Sequence, residues 1–76
     1  MNNIRRKEIQ GIIDRLEELK SDLETLKDEE EEYRDNIPEN LQGSERYEKA
    51  DEACDNLNSA FDSLEEAVSY MEESMA

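Results

Sequence analysis

Residues 33–47 read YRDNIPENLQGSERY, and the fold turns on this stretch. Pro38 has no N–H to donate and pushes Ile37 out of the α region, so a helix arriving from the N-terminal side must stop near Asn36. Gly43 supplies a pliable joint. Ser44 behind it is an N-cap residue, and Glu45 in the first turn has the sign that a helix dipole favours. Pro38 to Gly43 is a connection of the length found between antiparallel helices. The break therefore predicts one domain over residues 1–76, with helix one at about 3–36, a loop at 37–43 and helix two at about 44–75.

Both sides of the joint carry one spacing. Upstream, apolar residues fall at Ile9, Ile12, Leu16, Leu19, Leu23, Leu26, Tyr33 and Ile37, interrupted only at Glu30. Downstream they fall at Tyr47, Ala50, Cys54, Leu57, Phe61, Leu64, Val68, Met71 and Met75. Steps of three and four in alternation are those of a coiled-coil seam. A chain with 42% charged and 34% apolar residues also has the composition of a disordered one, but disorder does not require such a period. The period predicts two ordered helices.

Folding the chain at Leu41–Gln42 puts the two seams to a test. Seam partners then have numbers that sum to 83 or 84, pairing Leu26 with Leu57, Leu23 with Phe61, Leu19 with Leu64 and Leu16 with Val68. Tyr33 with Ala50, Ile12 with Met71 and Ile9 with Met75 complete the apolar set, and Glu30 beside Cys54 is the exception. With Ile9 as a and Ile12 as d, the e row of helix one is Arg6, Ile13, Lys20, Lys27 and Arg34, and that of helix two is Asp51, Asn58, Glu65 and Glu72. Antiparallel helices bring e against e, so Arg34 should reach Asp51 and Lys20 should reach Glu65. Arg5, Arg6 and Lys7 oppose their own helix dipole, as do Glu72 and Glu73 at the far end of helix two, and a hairpin lays these ends side by side. The fold class is all-α: two long antiparallel helices forming a helical hairpin about 50 Å long.

The opposite flank differs. Ala53, Ala60 and Ala67 recur by sevens at g of helix two, facing Glu29, Asp22 and Arg15. This stripe either narrows the hairpin or offers a second interface, through which two hairpins would form a four-helix bundle. A single core in a chain this small rarely supplies more than about 3–5 kcal/mol, so a homodimer is expected.

The residue inventory excludes much chemistry. Without histidine there is no Cys–His pair, Ser–His–Asp set or Glu-x-x-His di-metal site. Cys54 lies on the seam as apolar filler, no calcium loop is present, and no Gly-rich phosphate cradle appears. The chain is read as a non-enzyme with no metal and no cofactor. A single cysteine and no visible secretory signal suit a reducing, cytoplasmic setting, and no apolar run is long enough to span a membrane.

Charge is the remaining signal. Asp and Glu total 23 against 9 Lys and Arg, a net charge of −14, so direct nucleic-acid binding is not expected. From Ala50 to Ala76 there is no Lys or Arg at all. A solubilising surface usually mixes signs, so an acid-only face suggests contact with a basic protein partner, by imitation of nucleic acid. The candidate partner-binding residues are Glu29, Glu31, Glu32, Glu52, Asp55, Asp62 and Glu66, and the candidates for self-association are Ala53, Ala60 and Ala67. The alternative is a self-associating structural hairpin with a merely solvated exterior.

The joint with the start of helix two, YRDNIPENLQGSERYEKADEA, and then the acidic DNLNSAFDSLEEAVSYMEE, resemble small acidic helical-hairpin proteins of Gram-positive bacteria, their phages and mobile elements. The likeness covers roughly residues 28–74 and is most specific from Pro38 to Tyr47. It implies a helical hairpin and a phage or mobile-element setting, in which small acidic proteins act as inhibitors. It supplies no catalytic or binding residues.

Overall fold

A computed structural model, which describes residues 1–41 and 43–76, has two helices and a short turn. Helix α1 runs Asn3–Asp35, a single 3-10 turn covers Glu39–Leu41, and helix α2 runs Glu45–Met75. Gln42, half of the expected fold point, lies outside the described residues. The two helices pack antiparallel as a rod of 59 × 15 × 13 Å.

The joint is built from the residues that break the helix. Asn36 caps α1, its N–H donating to the Glu32 carbonyl at 3.0 Å, while the Ile37 N–H donates to the Arg34 carbonyl at 3.2 Å. Beyond Pro38 the Leu41 N–H reaches back to the Pro38 carbonyl at 2.8 Å, closing a 3-10 turn where the sequence predicts only a loop. Ser44 caps α2 as expected, accepting from the Tyr47 N–H, and its hydroxyl also donates to the Leu41 carbonyl. Ile37 is buried beneath this turn. At the other end Asn2 caps α1, its Oδ1 accepting from the Arg5 N–H at 2.8 Å.

The seam departs from the expected a/d pairing on one helix. Helix α2 behaves as expected: Ala50, Cys54 and Val68 are buried, and Leu57, Phe61, Leu64 and Met71 are half-buried. Helix α1 is rotated so that rows a and e face inward. Ile13, at e, is buried, while the d row stands exposed: Ile12 at 40%, Leu19 at 59%, Leu26 at 58% and Tyr33 at 43%.

Two features account for the rotation. On the flank beyond row d, α2 presents Ala53, Ala60 and Ala67, whose methyl groups are too short to reach over a leucine. On the e flank, Lys20 and Lys27 lay their stems along the seam, with their ammonium groups 5.4 and 5.8 Å from the Phe61 ring centre. Burying Ile13 and the lysine stems is worth more than burying row d against alanine.

The end-to-end compensation is also redirected. Arg6 Nε donates to the Met75 carbonyl at 3.2 Å, satisfying one of the free carbonyls at the α2 C-terminus. Among the described residues neither Glu72 nor Glu73 forms an ion pair.

Candidate protein-interaction surfaces

The e flank is closed by charge. Arg34 Nη1 meets Asp51 Oδ1 at 3.0 Å, and Lys20 Nζ meets Glu65 Oε1 at 3.7 Å, both as expected from the heptad phase. Asp35, bonded to Arg34 Nε at 3.1 Å, and then Asp51 push the Arg34 guanidinium pKa above its ordinary value. Lys27 is held by Glu31 at 3.8 Å and Asp28 at 3.9 Å. These pairs are partly exposed and add little stability singly.

Cys54 is fully buried, and burial pushes its thiol pKa up from the ordinary value, opposed by the nearby Arg34 and assisted by Glu30, Glu31 and Asp51. The unfolded chain then releases the thiol proton at a lower pH than the folded one. Stability should therefore fall as pH rises above about 8.5, the ordinary thiol value. The melting temperature of the parent is expected to drop more steeply between pH 8 and 9.5 than that of Cys54→Ala. Parallel curves would show that the thiol environment does not differ between the folded and unfolded states.

The expected partner-binding acids do not form one patch. Glu52, Asp55, Asp62 and Glu66 occupy the adjoining rows b and f of α2, are exposed, and belong to no ion pair among the described residues. Glu31, on row b of α1, shares their side of the hairpin but is already engaged by Lys27. Glu29 and Glu32 are exposed on rows g and c of α1, turned to the opposite flank. Of the expected acids, the four that share one side free of ion pairs among the described residues are therefore those on the outer side of α2. All acids of α2 sit on rows b, e and f.

The g flank differs on its α2 half, which carries no acid, while row g of α1 brings Arg15, Asp22 and Glu29 to it. Ala53 and Ala67 are half-buried and Ala60 is exposed, with the uncovered d row of α1 beside them. Row c of α2 adds Lys49, Asn56, Ser63 and Tyr70, the last three next to the alanines and the tyrosine 63% exposed. At the loop end Arg46 closes this flank: its Nε donates to the Tyr33 hydroxyl at 2.8 Å, and its guanidinium carbon lies 5.4 Å from the Tyr33 ring centre. Sequence reasoning missed this clasp and the uncovered d row. Its one available signal was Ile13, an apolar residue at e.

Among the described residues there is no pocket, no group of three acidic or cysteine side chains that converges on a metal position, and no helix long and apolar enough to cross a membrane. What the arrangement offers is two long flanks, one lined by the acids of α2 and one on which the exposed d row of α1 runs beside the alanines of α2. Comparison with protein-family models, with curated proteins and with solved structures finds no match.

Proposed function

We propose that this hairpin is a non-enzymatic, cytoplasmic protein-interaction module whose acidic side blocks a basic nucleic-acid-binding protein, in a phage or mobile-element setting. The observation that carries this reading is the state of Glu52, Asp55, Asp62 and Glu66, all exposed on one side of α2 and none in an ion pair among the described residues. The side chains of a solubilising coat gain nothing from lying together unmixed with cations, whereas a surface that substitutes for phosphates requires it. A net charge of −14 along 59 Å is about one per 4 Å, against about one per 1.7 Å in duplex DNA. The rod is thus a dilute but rigid polyanion, and the resemblance of residues 28–74 to phage and mobile-element proteins supports the setting.

The mechanism is competition. Carboxylates on a stiff helix take positions that phosphates otherwise hold, and nucleic acid is excluded without any chemical step. The test begins with capture from host lysate at low salt and identification of what is retained. The retained protein should be basic, should bind nucleic acid, and should lose that binding when the hairpin is added. Replacing the four residues by Glu52→Gln, Asp55→Asn, Asp62→Asn and Glu66→Gln leaves the seam untouched, and affinity for that protein should fall at least about tenfold at low salt. Affinity equal to the parent's would overturn the reading.

A further inference from the structure

We infer that the g flank, where the exposed d row of α1 lies beside the alanines of α2, is the interface for a second copy of this chain, giving a four-helix bundle of two hairpins. The inference does not rest on the acidic side or on its partner. It starts from the d row of α1, where Leu19 and Leu26 are more than half exposed in the lone hairpin. Leucines at heptad spacing along a rod waste burial unless something covers them.

The same flank contains what fits them. A side chain on one helix inserts between residues i, i+3, i+4 and i+7 of the helix that faces it. At the height of Leu19 those four on α2 are Ala60, Ser63, Leu64 and Ala67; at the height of Leu26 they are Ala53, Asn56, Leu57 and Ala60. At the height of Ile12 they are Ala67, Tyr70, Met71 and Ser74. No hole contains a charge, and each has a small residue at its rim.

Within one hairpin the rotation of α1 leaves these knobs and holes side by side rather than engaged. A two-fold axis along the rod engages both sets, since it lays the d row of each copy over the alanine row of the other. The face is complementary to itself, which is the requirement for a closed dimer.

Direction and area agree. With that axis every helix has antiparallel neighbours on both sides, and Arg5, Arg6 and Lys7 of one copy stand beside Glu72 and Glu73 of the other. The acids of α2, confined to rows b, e and f, all stay outside the contact, and the charges that α1 brings to this flank, Arg15, Asp22 and Glu29 on row g, are of both signs. A face 59 Å by 15 Å has a footprint of roughly 900 Å², against about 800 Å² per partner in a standard stable interface.

Sedimentation of the full chain tests this. At micromolar concentration and moderate salt it should run at twice its 8.9 kDa, and association should tighten as salt screens the like charges of the two rods. The double variant Leu19→Gln, Leu26→Gln should run as a monomer with unchanged helix content, because both residues are exposed in the lone hairpin. Ala60→Glu attacks the interface from the other side and should weaken association at least tenfold. Spin labels at position 40 should lie far closer together than the 59 Å length of the rod.

A parent that stays monomeric into the millimolar range would overturn the inference. So would a dimer that both variants retain, or a label separation near the rod length. A monomeric parent that captures a different protein through Leu19 and Leu26 would assign the flank to that protein instead.

Discussion

Val68→Asp is expected to abolish the fold. Val68 is buried on row a of α2, at the height of Leu16. A carboxylate there must give up its hydration without a partner, at a cost of several kcal/mol. A chain of this size has about 3–5 kcal/mol in total to lose. Helices of 33 and 31 residues with acid-rich exteriors do not stand alone once the seam is broken. Circular dichroism at 25 °C should therefore show mostly coil. The neighbouring Ser69→Asp, exposed on row b, should change stability by no more than about 0.5 kcal/mol. A cooperative melt retained by Val68→Asp would mean that the stability does not reside in this seam.

The contrast between residues one position apart shows why the fold was legible in the sequence. The rules that place Pro38, Ser44 and the seam are local or periodic. A proline cannot continue a helix in any context, a serine before an acidic first turn caps one, and a step of 3.5 residues puts side chains on one face whatever lies opposite. The pairs Arg34–Asp51 and Lys20–Glu65 were legible for the same reason, since heptad phase and chain direction together leave e only one neighbour. Asn2 caps α1 by the same side-chain geometry as Ser44, a cap that the sequence reading did not single out.

The interaction surfaces were less legible because they depend on what faces what. Heptad letters treat rows a and d as equal. Here they are not, since the flank beyond d holds only alanines on α2 and the row beside a holds Ile13 and two lysine stems over Phe61. The difference is one of side-chain reach, and it appears only when both helices are present. The clasp of Arg46 on Tyr33 depends on the same rotation, which keeps Tyr33 at the surface. For the acids, composition showed the charge, and the structure separates the open side of α2 from acids already engaged, such as Glu31. An exposed carboxylate carries no trace of the group it will meet, so the partner is a matter for experiment.

The rotated seam makes a second prediction that a regular a/d hairpin would reverse. Ile13→Ala should destabilise the dilute, monomeric chain by about 2–4 kcal/mol, because a buried side chain leaves a cavity between two stiff helices. Leu19→Ala should cost no more than about 1 kcal/mol under the same conditions. Leu19 is 59% exposed, so little burial is lost, and alanine is the better helix former. If row d were the true seam the order would invert, with Leu19 the costly position and Ile13 the mild one. Urea melts of the two variants decide between these arrangements without any knowledge of the partner. Raising the protein concentration extends the test, because anything that binds only the folded state adds stability by mass action. Through the proposed dimer the parent and Ile13→Ala should both gain stability with concentration, whereas Leu19→Ala, having lost its knob, should gain little. An effect of Leu19→Ala that is small when dilute and grows with concentration would place that side chain outside the hairpin and inside an assembly of hairpins.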